Sequence, residues 1–192
     1  MTEPEDHQLL DGIFGTLLRP RATFAQLASV ESARHGAAAI ALLGVAWGLL
    51  CALLWSSGRA PHAVLLPVPP HAYYLFQALI TIPVLLALWW LFAALAGRLA
   101  GGVTPATRTA LGFAYAVPML AHVAVEGVGY LLLGFDALAL IAAISLPAAS
   151  LWVWALSAVA LKELHGCGWG RAVGASFAGL LVQAALGSVV LR

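Results

Sequence analysis

A chain of 192 residues that is 62% hydrophobic and 9% charged is excluded from the ordinary soluble domains, whose charged share is about 25%. It reads as an integral membrane protein, in keeping with a mean hydropathy of +0.96. The net charge is +1, and no basic run is dense enough to suggest nucleic acid as a partner. Cys51 lies in an apolar stretch and Cys167 in a polar connection, so the two cysteines fall at different expected depths and build no disulfide framework.

The first eight residues, with Glu3, Glu5 and Asp6, are expected to be a solvated, disordered tip. No small-residue cleavage site follows a charged n-region, so no removable signal peptide is expected. From Leu9 the pattern changes. Leu9, Leu10, Ile13, Phe14, Leu17 and Leu18 recur at helical spacing, Arg19-Pro20-Arg21 interrupts them, and Phe24, Leu27 and Val30 resume, a run too short and too polar to span a bilayer. Two short amphipathic helices in the membrane interface are expected, with Leu17 and Phe24 as apolar anchors and Arg19 and Arg21 near anionic headgroups. A buried soluble hairpin is the alternative.

This divides the chain into residues 1–35, a cytoplasmic tip with interfacial amphipathic helices, and residues 36–192, a transmembrane domain. The fold class is all-α, with five transmembrane helices expected at about 36–56, 72–96, 109–133, 138–161 and 172–191, each close to the ~20 residues that cross a ~30 Å hydrocarbon core. In the first, Gly44 and Gly48 form a GxxxG pair, a helix-packing face that serves either within the chain or between copies. The proline-rich connection Ser57 to His71 should be an extended external loop. The second span carries Gln77, Thr81 and Pro83, the fourth Ser145 and Pro147, and the fifth a stripe of Ala172, Ala175, Gly179 and Gln183. No strand alternation and no internal repeat is found.

Basic residues set the orientation. With the N-terminus inside, Arg19, Arg21, Arg34, Arg98, Arg108, Lys162 and Arg171 are cytoplasmic, and only Arg59 and Arg192 are outside, the asymmetry of the positive-inside rule. Five spans then put the C-terminus outside.

The third span is the only one with a carboxylate inside it. Wound at about 100° per residue, it places Tyr115, Pro118, His122, Glu126 and Gly129 within an arc of roughly 80°. That face should look into the bundle, with Phe113, Val117, Leu120, Ala124, Val128 and Leu131 towards lipid, because an ionisable group in hydrocarbon costs several kcal/mol. At a rise of about 1.5 Å per residue from Thr109, Glu126 falls in the outer third of the membrane. A polar layer of Gln77, His122, Glu126, Ser145 and Gln183 is expected there. It could satisfy the carboxyl group by packing alone, or it could carry a proton or ion. A metal is the least supported use, since His122 and Glu126 match neither HExxH nor a repeated Glu-x-x-His pattern. His165, Cys167 and Trp169 gather in the connection LHGCGWGR, but two ligands do not make a metal site and no GK[ST] follows the glycines. No catalytic, cofactor-binding or metal residue is assigned, and an enzyme is the least supported class.

Three segments carry a resemblance: LLRPRATFAQLA from Leu17 to Ala28, ALGFAYAVPML from Ala110 to Leu120, and LKELHGCGWGRAVGASFAGLL from Leu161 to Leu181. Together they resemble the Yip1 domain family, from about Asp11 onward. The resemblance implies an all-helical membrane protein without catalytic residues. Eukaryotic relatives act in vesicle traffic and bind Rab-type GTPases, but the DLYGP-type motif of that branch is absent here. A single lysine, Lys162, against eight arginines points to a GC-rich bacterial source and so to the cell inner membrane. The expected function is non-enzymatic, exercised in the lipid bilayer by packing with another membrane protein or with itself as a homo-oligomer. The alternative is a small solute or ion transport component using His122 and Glu126.

Overall fold

The computed structural model describes the backbone of residues 5–61 and 67–190, and the side chains of residues 9–61 and 67–188. Among these residues seven α-helices follow one another: α1 (Glu5–Leu18), α2 (Pro20–Leu27), α3 (Arg34–Ser56), α4 (Tyr73–Ala100), α5 (Pro105–Leu133), α6 (Leu138–His165) and α7 (Trp169–Val190), with single 3-10 turns ahead of α4 and α6. No strand occurs among the described residues. Helix already begins at Glu5, inside the tip expected to be disordered; residues 1–4 of that tip, part of the proline-rich loop and Arg192 lie outside the described residues.

Among the described residues, four stretches are long and apolar enough to cross a membrane: Arg34–Ser56, Pro70–Ala100, Pro105–Leu133 and Phe135–His165. The chain is thus built as a multi-pass membrane protein. The helices outrun the apolar segments at their polar ends. At the start of α5, Thr104 accepts from the Thr107 amide while Thr107 answers in a capping box, and Pro105 fills the first turn, so the helix begins four residues before Thr109. At the end of α6, Gly166 adopts φ 59°, the left-handed conformation that stops a helix.

Successive helices alternate in direction, so α3, α5 and α7 begin at the end of the bundle where α4 and α6 finish. We call this the near end. Small residues bring the helices together. A Cβ on Gly44 would lie 2.8 Å from Ile82 and one on Gly48 3.3 Å from the Ala78 carbonyl, so both glycines pack α3 on α4. Gly179 meets Phe92 and Ala96 in the same way, seating α7 on α4. The closest approach joins α3 to α5, where a Cβ on Gly112 would fall 2.6 Å from the Gly36 Cα. Only a residue without a side chain fits between backbones this close.

The hairpin of α1 and α2 closes against this near half. Phe24 is fully buried and packs in one cluster with Phe92, Ala96, Leu111 and Leu161. Its expected place as a headgroup anchor is therefore corrected: the bundle offers it a preformed apolar cleft, while Leu17, Arg19 and Arg21 on the same hairpin stay exposed. The expected lipid face of α5 needs a similar correction at its first turns. Phe113 and Val117 are buried, Phe113 because α1 lays Gly12 directly over its ring.

Candidate intramembrane polar site

The inward arc of α5 holds the only carboxylate among the described residues of its span. Pro118, His122, Glu126 and Gly129 are all buried, and His122 is 2% exposed against 9% for Glu126. Ser145 of α6 faces them, and its Oγ lies 2.9 Å from His122 Nδ1. The same hydroxyl donates to the Ile141 carbonyl of its own helix at 2.8 Å. A serine has one hydrogen to give, so with that hydrogen on Ile141 the His122 Nδ1–H is the donor to Ser145. This leaves His122 Nε2 turned to Glu126, 3.6 Å from Oε1. At that separation the two groups face each other within ion-pair range but beyond a hydrogen bond. The Trp47 ring, 5.9 Å from that of His122, covers the pair from α3.

This geometry fastens α5 to α6 and keeps a carboxyl and an imidazole side by side inside the bundle. Ile141 tightens the same crossing by lying on Gly129, where an added Cβ would overlap its Cδ1.

Of the five residues expected in one polar layer, the structure brings His122, Glu126 and Ser145 together. Gln77 stands apart: its Nε2 donates to the Tyr73 hydroxyl at 2.7 Å, and its carbonyl accepts from Thr81 at 2.6 Å, so it serves α4 itself. Gln183 of α7 lies elsewhere again, 3% exposed, with no hydrogen-bond partner in the protein for Oε1 or Nε2. It lines a cavity of about 370 Å³ to which α3, α4, α5 and α6 also contribute. Sequence reasoning did not reach Trp47, Ser150 or Ser188 of that lining. Each is unremarkable in its own helix, and only the relative placement of five helices could have revealed them.

The connection before α7 is folded into the near end. His165 Nε2 is 3.2 Å from the Thr107 hydroxyl, and the Cys167 thiol donates to the Leu161 carbonyl at 3.8 Å. Among the described residues no group of three or more His, Cys, Asp or Glu gathers to hold a metal ion. Cations ring the same end. Arg108 stacks over Trp90 at 4.9 Å, Lys162 and Arg21 both lie over Trp169, at 5.0 and 5.9 Å, and Arg171 donates to the Leu99 carbonyl at 2.7 Å.

Set against family models, curated proteins and solved structures, the chain matches none.

Proposed function

We propose that the chain is a non-enzymatic, five-span protein of the cell inner membrane, of Yip1 type, that acts by packing with another membrane protein or with a second copy of itself. The observation that carries this reading is the His122–Ser145 bond: the least membrane-compatible group of the chain is tied into a helix-to-helix fastening. As a fifth crossing we take α7, whose 22 residues exceed the ~20 a bilayer needs and whose Gly179 seats it on α4. The cationic near end supports a cytoplasmic N-terminus and an external C-terminus.

A second reading, a solute or ion transport component, is favoured by His122 and Glu126 facing each other, two titratable groups side by side within a span. One pair of variants separates the two. If the pair only packs, Glu126→Gln keeps its shape and is nearly neutral in thermal unfolding, whereas Glu126→Leu costs about 1–3 kcal/mol by stranding His122. If the pair conducts, Glu126→Gln abolishes a pH-dependent flux in proteoliposomes and leaves stability intact. For the packing reading, native mass spectrometry after gentle extraction should find the chain in a complex, and a lone chain would overturn it.

A further inference from the structure

The cavity beside Gln183 lies between Leu43 and Trp47 of α3, Thr81 and Leu88 of α4, and the far half of α7. Its walls contain no Asp, Glu, Lys, Arg or His and are largely aliphatic. At about 370 Å³ it falls within the ~300–1,000 Å³ typical of small-molecule sites, which are likewise apolar with a few placed polar groups. The exposed Ala184 and Ser188 mark its open side.

The polar groups are specific. Gln183, 97% removed from solvent by its 3% exposure, presents an amide with neither atom bonded in the protein. Trp47, also on the lining, has the Cys51 thiol of its own helix as the partner of its side chain. Thr81 gives its hydroxyl hydrogen to the Gln77 carbonyl, which leaves its oxygen lone pairs to accept. With the hydroxyls of Tyr115, Ser150 and Ser188 also on the lining, the wall offers several polar groups, of which the Gln183 amide, donor and acceptor at once, is left without a bond in the protein. Leaving such groups unmade in an apolar site is costly.

We propose that this cavity binds an uncharged amphiphile with a primary carboxamide head on an apolar chain, recognised by its pairing with the Gln183 amide. A primary amide has two N–H donors and a carbonyl with two lone pairs. It can form a two-bond ring with Gln183, while its chain lies among the leucines of the lining. A cationic or anionic head would enter without a counter-charge.

The test uses the full chain in phosphatidylcholine nanodiscs and a diazirine-bearing dodecanamide, with the labelled peptides mapped by mass spectrometry. Labelling should fall on α4 and α7, and dodecanamide should compete about tenfold better than N,N-dimethyldodecanamide, which has lost its donors, as the loss of one or two hydrogen bonds implies. Gln183→Leu should bring the two competitors within about twofold of each other. Ala184→Phe, substituted at the exposed mouth where folding is not at stake, should reduce labelling of the cavity walls. Labelling that no competitor reduces, or a tenfold preference that survives in Gln183→Leu, would overturn the proposal. Undiminished labelling in Ala184→Phe would do the same, even if Gln183→Leu failed to fold.

Discussion

The near and far halves of the bundle are built on opposite plans. In the near half, glycine and alanine let backbones touch, as at Gly36 and Gly112, and side-chain donors are spent on carbonyls of neighbouring helices, Trp89 on Arg108 and Trp154 on Val173. In the far half, α6 buries nothing before Ala149, Leu131, Leu132 and Leu133 of α5 stand 69–77% exposed, and the His122–Glu126 pair and the Gln183 cavity occupy the space between helices. Close packing needs small residues on both partners. Where one partner carries Leu, Tyr or Trp instead, the helices part and polar groups find room. The near half is thus the tightly packed frame, and the far half is where polar groups and open space lie between helices.

The sharpest way to break this contrast is to place the same kind of change in each half. Gly112→Leu drives a side chain into the Gly36 backbone and should abolish folding, a loss of more than about 4 kcal/mol. Gly127→Ala on the same helix meets nothing within 4 Å and should be neutral or gain up to about 1 kcal/mol from helix propensity. Size-exclusion profiles and thermal unfolding in detergent read both. A well-folded Gly112→Leu would sink the idea of a backbone-tight frame.

The next effect tests what the α1–α2 hairpin is for. Phe24 fills a cleft of the near half completely, so Phe24→Ala should cost about 3–5 kcal/mol. Phe14, 57% exposed on the same hairpin, should tolerate alanine within about 0.5 kcal/mol. If instead Phe14→Ala releases the segment to protease and Phe24→Ala does not, the hairpin is held by the membrane surface and not by the bundle.

Smaller still is the fastening in the far half. A double-mutant cycle with His122→Ala and Ser145→Ala should give a coupling of about 1 kcal/mol, the scale of interhelical hydrogen bonds in membranes. A coupling near zero would mean that α5 and α6 are joined there by Ile141 on Gly129 alone.

Helix positions were legible because hydropathy and breakers act locally: Pro70, Pro105, Gly134 and Gly166 bracket the long helices as their backbone chemistry requires. The inward turn of His122 and Glu126 was legible too, since a helix has one period and a carboxylate has a strong preference for the interior. Contacts between distant segments were not. Gly112 has no GxxxG partner on its own helix; its complement is Gly36 on α3, so no local spacing announces it. Phe24 fits an apolar stripe equally well against lipid or protein, and the difference lies in a cleft made by α4, α5, α6 and α7. Gln183 reads as one more polar residue in a span, and its lack of a partner appears only when the surrounding helices are in place.

The smallest expected effect falls on that residue, and its sign is the test. Elsewhere in the bundle a buried polar group that loses its partner makes the protein less stable, as for His122 above. Gln183 has both amide atoms unbonded, so Gln183→Leu removes an unmet desolvation cost and adds apolar contact with the cavity wall. Thermal unfolding of the purified protein, with no amphiphile added beyond the detergent, should therefore show a stabilisation of about 1 kcal/mol, where Gln77→Leu, which breaks the bond to Tyr73, should destabilise by a similar amount. A Gln183→Leu protein that loses stability as Gln77→Leu does would mean that the amide is already satisfied, as the Gln77 amide is by Tyr73.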